Sequence, residues 1–367
     1  MRRISAQYLF TATGKPLKRG VITFDDDGTV VAVDDTGGDL RERAGTEFYN
    51  GIIIPGLVNC HTHLELSHLG GQIPAGGGLQ QFIAAVRGQR DANPEEIVAA
   101  AEKAEQMMVS EGTVACGDIS NGTASFAIKG RSSIQWLTFT EVFGSDPLIA
   151  ATRISEALAV SAAAEAAGLR QHITPHSLYS LSEELFSHIL SHITPASVIS
   201  LHFLESDEER TMTGGHAARA LALAARCRRL ILVHNTVITR PEAELLAAAD
   251  NTWFCLCPSS NLRITGTLPP VELLSKVTGR IITGTDSLAS TSSLGLLTEL
   301  RQLHEAAPQL PLEEIIRWGT LNGAVALGME ETLGSLETGK KPGLLLLEPV
   351  DLHRLRLLPE TRVRRLL

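Results

Sequence analysis

From Ile52 to about residue 328 the sequence alternates short apolar stretches with longer Ala/Leu/Glu-rich ones, and few folds accept that rhythm. Length and β-branched content predict strands at 52–58, 114–120, 135–144, 169–177, 198–206, 230–235, 252–261 and 280–287. Helices are predicted between them, among them 94–110, with Asn93 as cap and Pro94 in the first turn, 182–192, and a last one over 312–327. Eight strand-helix alternations over about 270 residues fit an α/β fold of the (β/α)8 TIM-barrel type, near its usual size. A doubly wound open sheet is the alternative. It is weakened because no strand is followed by a GxGxxG or GxxxxGK[ST] loop; Gly76-Gly77-Gly78, after Pro74, shapes a long loop instead.

The ends of the chain read differently. Val21-Ile22-Thr23-Phe24 and Val30-Val31-Ala32-Val33 flank Asp25-Asp26-Asp27-Gly28, a turn sequence suited to a hairpin. Beyond residue 328, Gly334-Ser335-Leu336-Glu337 and Leu344 to Leu347 return to strand-like text, as though the C-terminus rejoined the N-terminal β unit. The expected division is therefore 1–54 with 329–367 as one domain and 55–328 as the barrel. The basic tail 362–367 reads as a solvated end. With 44% hydrophobic and 20% charged residues in 367, the chain has enough apolar surface for a large core. A net charge of -9 without a basic stripe argues against nucleic acid or an anionic membrane as partner. Neither a membrane-length apolar run nor a signal-peptide segment is present, which gives a cytoplasmic expectation. Cys60, Cys116, Cys227, Cys255 and Cys257 show no disulfide-framework spacing and read as reduced core residues.

The polar residues gather where the strands end. The first strand leads to His61-Thr62-His63; alternate side chains of a strand share a face, so these two His can grip one ion. The fourth ends in Pro175-His176-Ser177, the fifth in His202-Phe203-Leu204-Glu205, the sixth in Val233-His234-Asn235 and the eighth in Gly284-Thr285-Asp286-Ser287. A lone His at a strand end is commonly a buried core residue, but barrel closure would bring all five ends around one mouth. His61, His63, His202 and Asp286 are assigned as ligands of one divalent ion, Zn2+ first and Fe2+ second, with a position open for water. Such an ion lowers the pKa of its water to about 7 and so makes hydroxide available as nucleophile. Glu205 is the candidate proton shuttle, and His234, acting with Asp286, orients the water and stabilises the tetrahedral adduct.

Taken together these stretches resemble the amidohydrolase superfamily, in its branch of metal-dependent deaminases and chlorohydrolases of amino-heterocycles. The likeness rests on Pro55-Gly56-Leu57-Val58-Asn59 leading into His61-Thr62-His63, His202 with Glu205, Val233-His234-Asn235, Cys257-Pro258-Ser259-Ser260-Asn261-Leu262, Gly284-Thr285-Asp286-Ser287, Leu321-Asn322-Gly323-Ala324 and Gly334-Ser335-Leu336-Glu337. It implies a composite β-sandwich from both termini packed on the barrel, and the same ligand, Glu205 and His234 roles. Binuclear members bridge their metals with a modified Lys or an acid on a middle strand. Neither Trp136-Leu137-Thr138-Phe139 nor 169–177 carries a Lys, so one metal is expected. The H-x-E and P-C-x-x-C signature of the separate cytidine-deaminase family is absent.

For substrate, Thr174-Pro175-His176-Ser177-Leu178-Tyr179 is similar to the segment that carries a substrate-binding His in adenosine-type deaminases. Glu65 resembles an acidic position of aminodeoxyfutalosine deaminases, or else pairs with an arginine such as Arg87. The expected activity is hydrolytic deamination of a small purine-like heterocycle with release of ammonia. Its leading substrate is 6-amino-6-deoxyfutalosine, followed by adenosine or S-adenosylhomocysteine, guanine and chlorinated triazines. The alternatives are a chlorohydrolase or cyclic amide hydrolase at the same centre and, from another class, a non-catalytic binding protein. A homodimer is the assembly the resemblance carries. Two departures stand out: Lys340-Lys341-Pro342-Gly343-Leu344 replaces the usual Lys-x-Ala-Asp-Leu, and Phe82 occupies a position where Trp is common.

Overall fold

The computed structural model describes residues 1–39 and 45–367, which fall into two compact units. One comprises Met1–Asn59, Met108–Ala115 and Gly295–Leu367; the other comprises Cys60–Met107 and Cys116–Leu294.

The terminal unit is built on one seven-stranded mixed sheet. Its order is Arg356–Arg365, Leu345–Asp351, Thr46–Ile54, Arg2–Leu9, Val21–Phe24 and Val30–Asp34, with Leu17–Lys18 paired to Arg2–Leu9. The hairpin expected around Asp25 is present: Gly28 takes φ +84 and Asp25 Oδ1 accepts from Thr29 N at 2.9 Å. The termini join where Ile52, Ile53 and Ile54 pair with Leu347, Leu346 and Leu345. Ile4, Leu9, Ile22, Phe24, Ile53 and Leu346 form the core of this unit.

Three sequence expectations change here. The apolar run 52–58 is two strands, because Thr46–Ile54 belongs to the terminal sheet and Leu57–Thr62 starts anew after Pro55-Gly56. Pro55 lacks a backbone donor, and a Cβ on Gly56 would collide with Val114 and the Pro342 carbonyl, so the chain turns at that point. Gly334 to Glu337 are a bend and irregular backbone rather than a strand. The basic tail is strand as far as Arg365: its side chains alternate with solvent, while its backbone pairs with Leu345–Asp351.

The other strands lie in two four-stranded sheets. Leu57–Thr62, Thr113–Ser120, Gln135–Val142 and Arg170–Pro175 follow one another in the first; Val198–Phe203, Arg229–His234, Thr252–Leu256 and Ile281–Thr283 run parallel in the second. Most are buried along their whole length, as strands covered on both faces are. Isolated parallel bridges Ser177–His202 and Thr62–Asp286 link the two sheets, both at the polar strand ends. The expected helix starts hold: Asn93 Oδ1 accepts from Glu95 N at 2.9 Å, and Ser182 Oγ from Leu185 N at 3.1 Å. The predicted strand 252–261 stops at Leu256, because Pro258 opens the helix Pro258–Ile264. The last helix divides into Leu312–Trp318 and Leu321–Leu327. All five cysteines are buried, and none is in a disulfide. No helix among the described residues is long and apolar enough to cross a membrane.

Candidate metal centre and pocket

His61 and His63 leave the first parallel strand on one face, with their Nε2 atoms 3.1 Å apart. His202, from the fifth strand, brings its Nε2 to 3.2 Å from that of His63. Asp286 completes the group, with Oδ1 3.5 Å from His63 Nε2 and 3.8 Å from His61 Nε2. Its approach depends on Gly284, where a Cβ would lie 2.7 Å from that of His61; the N–H groups of Thr285 and Asp286 both donate to the His61 carbonyl at 3.0 Å. Asp286 and His234 adopt φ +61 and +77, left-handed backbone that costs a β-carbon residue about 1–3 kcal/mol and that turns each side chain at its strand end. Asp286 Oδ2 accepts from Ser260 Oγ at 2.6 Å and Ser290 Oγ at 2.8 Å, which leaves Oδ1 toward the imidazoles.

This donor set fits a divalent cation. Burial holds the imidazoles neutral: His63 is pushed down to about 3, and His61 and His202 also fall below their ordinary value. His202 Nδ1 lies 2.9 Å from the His176 carbonyl; donation there leaves the Nε2 lone pair facing inward. Burial alone would raise the Asp286 carboxyl, but His63 and His234 together with the Ser260 hydroxyl hold it below the usual carboxylate value. Converging imidazole lone pairs and a carboxylate repel one another unless a cation lies among them. Residues able to hold one converge as His61, His63 and Asp286, as His61, His202 and His234, and as Glu141, His176 and His202.

Glu205 and His234 stand beside this cluster. Glu205 is 4% exposed, and its carboxyl is pushed well above the usual range by burial, then by the charges of Asp286 and Glu209. Its backbone N–H donates to Glu209 Oε2 at 2.7 Å, which fixes the segment after Leu204. His234 is buried, its value lowered to about 3 by that burial, and its ring stacks on His202 at 5.4 Å. Asn261 Nδ2 lies 3.3 Å from His234 Nδ1 and donates to Thr236 Oγ1 at 2.6 Å.

An open pocket of about 800 Å³ leads to these groups. His176 lines it, stacked on His202 at 4.5 Å and held by Ser177 Oγ at 2.9 Å; burial, and then Arg87, lower it to about 4. Phe82 lines it too and packs on the Leu69, Ile73 and Ala289 cluster. Glu65 lies off the pocket wall. Its Oε2 accepts from the backbone N–H groups of Asn121 and Gly122 at 3.0 and 3.1 Å rather than from an arginine. Several residues of this region carry no signal in strand-end reading. Asp118 pairs with the buried Lys129 at 2.5 Å and accepts from Leu64 N at 2.7 Å, next to His63. Ser260 and Asn261 belong to a quoted motif, yet their roles emerge only when Pro258–Ile264 is seen as a helix. Glu141 and Asn121 sit on the pocket wall.

Residues 52–363 match the model of the amidohydrolase family. The chain belongs to that family. A relative from Haloarcula marismortui named 5-methylthioadenosine/S-adenosylhomocysteine deaminase is 29% identical over 350 residues, covering 89% of this chain and 80% of the relative. A protein of the same name from Bacillus cereus is 27% identical, covering 81% and 73%. Among solved structures, Helicobacter pylori aminofutalosine deaminase in complex with methylthio-coformycin superposes with a TM-score of 0.75 at 20% identity, covering 95% of this chain and 92% of that one. An adenosine deaminase from Xanthomonas campestris with bound zinc gives 0.72 at 23%, covering 94% and 84%.

Proposed function

We propose that the protein is a hydrolytic deaminase of adenosine-like compounds, replacing the exocyclic amine of a purine-type ring by oxygen and releasing ammonia. The observation that carries this reading is Glu205: a buried carboxyl with a strongly raised proton affinity, 3.7 Å from His234 and next to a His/Asp cluster suited to a cation. The names of the Haloarcula marismortui and Bacillus cereus relatives agree with it.

His61, His63, His202 and Asp286 would hold one divalent ion, zinc before iron. When bound, it supplies a water acidic enough to attack near neutral pH. The chain's own groups do the proton work. Hydrolysis adds the oxygen of water to the ring carbon and breaks the bond from that carbon to the amine. One proton leaves the water and must reach a ring nitrogen. Glu205 carries it, since burial and the neighbouring charges of Asp286 and Glu209 raise the proton affinity of its carboxyl well above the ordinary carboxylate value. His234, steadied by Asn261, hydrogen-bonds the added oxygen, and Asp286, held by Ser260 and Ser290, works with it to protonate the departing amine. His176 contacts the ring from the pocket wall.

We read the eight parallel-type strands as a closed (β/α)8 barrel, which the Thr62–Asp286 and Ser177–His202 bridges support, and the terminal strands as the composite sandwich, with 1–54 and 329–367 outside a barrel domain of 55–328. Five cysteines outside any disulfide suit a cytoplasmic enzyme. Ammonia release is the test, with metal-loaded protein and a panel of 6-amino-6-deoxyfutalosine, 5′-methylthioadenosine, S-adenosylhomocysteine, adenosine, guanine and a chlorinated triazine. Release from the adenosine-like members is expected. Release of chloride alone would replace the reading by chlorohydrolysis.

A further inference from the structure

One group on the pocket wall is left over once the proton chemistry is assigned. Glu141, near the end of the strand Gln135–Val142, is 8% exposed and lines the pocket. Its Oε2 accepts from Asn121 Nδ2 at 2.9 Å. The orientation of that amide is determined by Arg90, which donates to Asn121 Oδ1 at 3.2 Å; a guanidinium has no acceptor, so the amide nitrogen must turn to Glu141. Glu65 fixes the backbone of the same residue, as described above. Asn121, itself fixed by Arg90 and Glu65, thus holds one oxygen of Glu141, while among the described residues no hydrogen-bond donor reaches Oε1. Its nearest ring nitrogen, His202 Nδ1 at 3.8 Å, is committed to the His176 carbonyl. A built and buried carboxylate with an unused acceptor oxygen on a pocket wall is a ligand contact in waiting.

We propose that Glu141 Oε1 determines specificity by accepting a hydrogen bond from a sugar hydroxyl of a purine ribonucleoside-type substrate. This rests on the deaminase reading. An adenosine-like molecule offers two kinds of donor, its exocyclic amine and its sugar hydroxyls. The amine belongs with the ligand cluster, Glu205 and His234, on the Nε2 edge of His202. Glu141 lies by the Nδ1 edge of the same ring, so the hydroxyls are the donors left for it. A carboxylate there also disfavours a phosphate on those hydroxyls, so the class is a nucleoside rather than a 2′- or 3′-nucleotide.

The test is steady-state deamination of adenosine, 2′-deoxyadenosine, 3′-deoxyadenosine and adenine by metal-loaded wild type and Glu141→Gln, with metal content and thermal melting measured for both. Wild type should lose about 10–100-fold in kcat/KM, mostly through KM, when the hydroxyl that Glu141 binds is removed, as expected for a lost hydrogen bond to a charged group. Glu141→Gln should lose a similar factor on adenosine and discriminate little between the ribo and deoxy forms. Equal wild-type kcat/KM on all three nucleosides overturns the proposal, and that comparison needs no variant to fold. Unchanged discrimination in a folded, metal-replete Glu141→Gln overturns it as well. Ammonia release from amino-heterocycles without a sugar, and from no nucleoside, removes this contact and the nucleoside substrate class but leaves hydrolytic deamination as the reaction. No ammonia from any amine removes both.

Discussion

Glu205 Oε1 lies 3.7 Å from His234 Nε2, and both side chains are buried beside the His61, His63, His202 and Asp286 cluster. Burial acts on the two in opposite senses: it raises the proton affinity of the carboxyl and lowers that of the imidazole, so the proton favours Glu205. Glu205→Gln should therefore bind metal as wild type does and lower kcat by about 10²–10⁴-fold, the usual contribution of a positioned acid-base group. Metal analysis together with kcat checks it; a wild-type kcat would exclude Glu205 from proton transfer.

The two serines on Asp286 Oδ2 orient the carboxylate from behind. Ser260→Ala with Ser290→Ala should weaken metal affinity by about 10–100-fold, as loss of such outer contacts does. Competition with a chelator measures it, and affinity equal to wild type would show that Asp286 needs no support.

Lys129 and Asp118 are fully buried and paired at 2.5 Å, and Lys129 also donates to Ser120 Oγ and Thr138 Oγ1. Lys129→Met leaves the carboxylate uncompensated and should cost about 3–5 kcal/mol in urea unfolding. Adding Asp118→Asn keeps an acceptor for Leu64 N and should restore much of the loss; no recovery would place the cost in packing instead.

Glu242 is tied to Arg210 by bonds of 2.8 and 3.0 Å. Its partial burial would raise the carboxyl, but the bonds from Arg210 and Thr239 bring it down to about 2. A depressed folded value means that the pair's stabilisation is complete above the unfolded value of about 4.3 and fades as pH falls through about 2. The melting difference between wild type and Arg210→Met should thus be constant near neutrality and shrink between those limits. A difference that persists at the lower limit would assign the effect to the arginine stem.

How much of this was legible in the sequence follows from where each signal lives. His61, His63, His202, His234 and Asp286 are polar residues closing apolar runs, and a strand's period assigns their faces before any neighbour is known. Ile52 to Val58 misled because Pro55-Gly56 sits inside an unbroken apolar run; the break is imposed by Val114 and Pro342, which lie far off in the chain. The tail to Arg365 looked solvated because its side chains are charged, whereas its pairing is made by backbone atoms that sequence patterns do not show. Glu141 was hidden for a related reason. An acid inside the stretch Thr138-Phe139-Thr140-Glu141 gains meaning only when folding brings Asn121 and Arg90 against it.

The central claim is hydrolytic removal of an amine, and isotope-labelled turnover tests it most directly. Metal-loaded protein incubated with an adenosine-like nucleoside in oxygen-18 water should yield one ammonia per product, with the label on the ring carbon that carried the amine. An unlabelled product, or no ammonia from any amine, nucleoside or sugar-free heterocycle, while metal occupancy is complete, would contradict it.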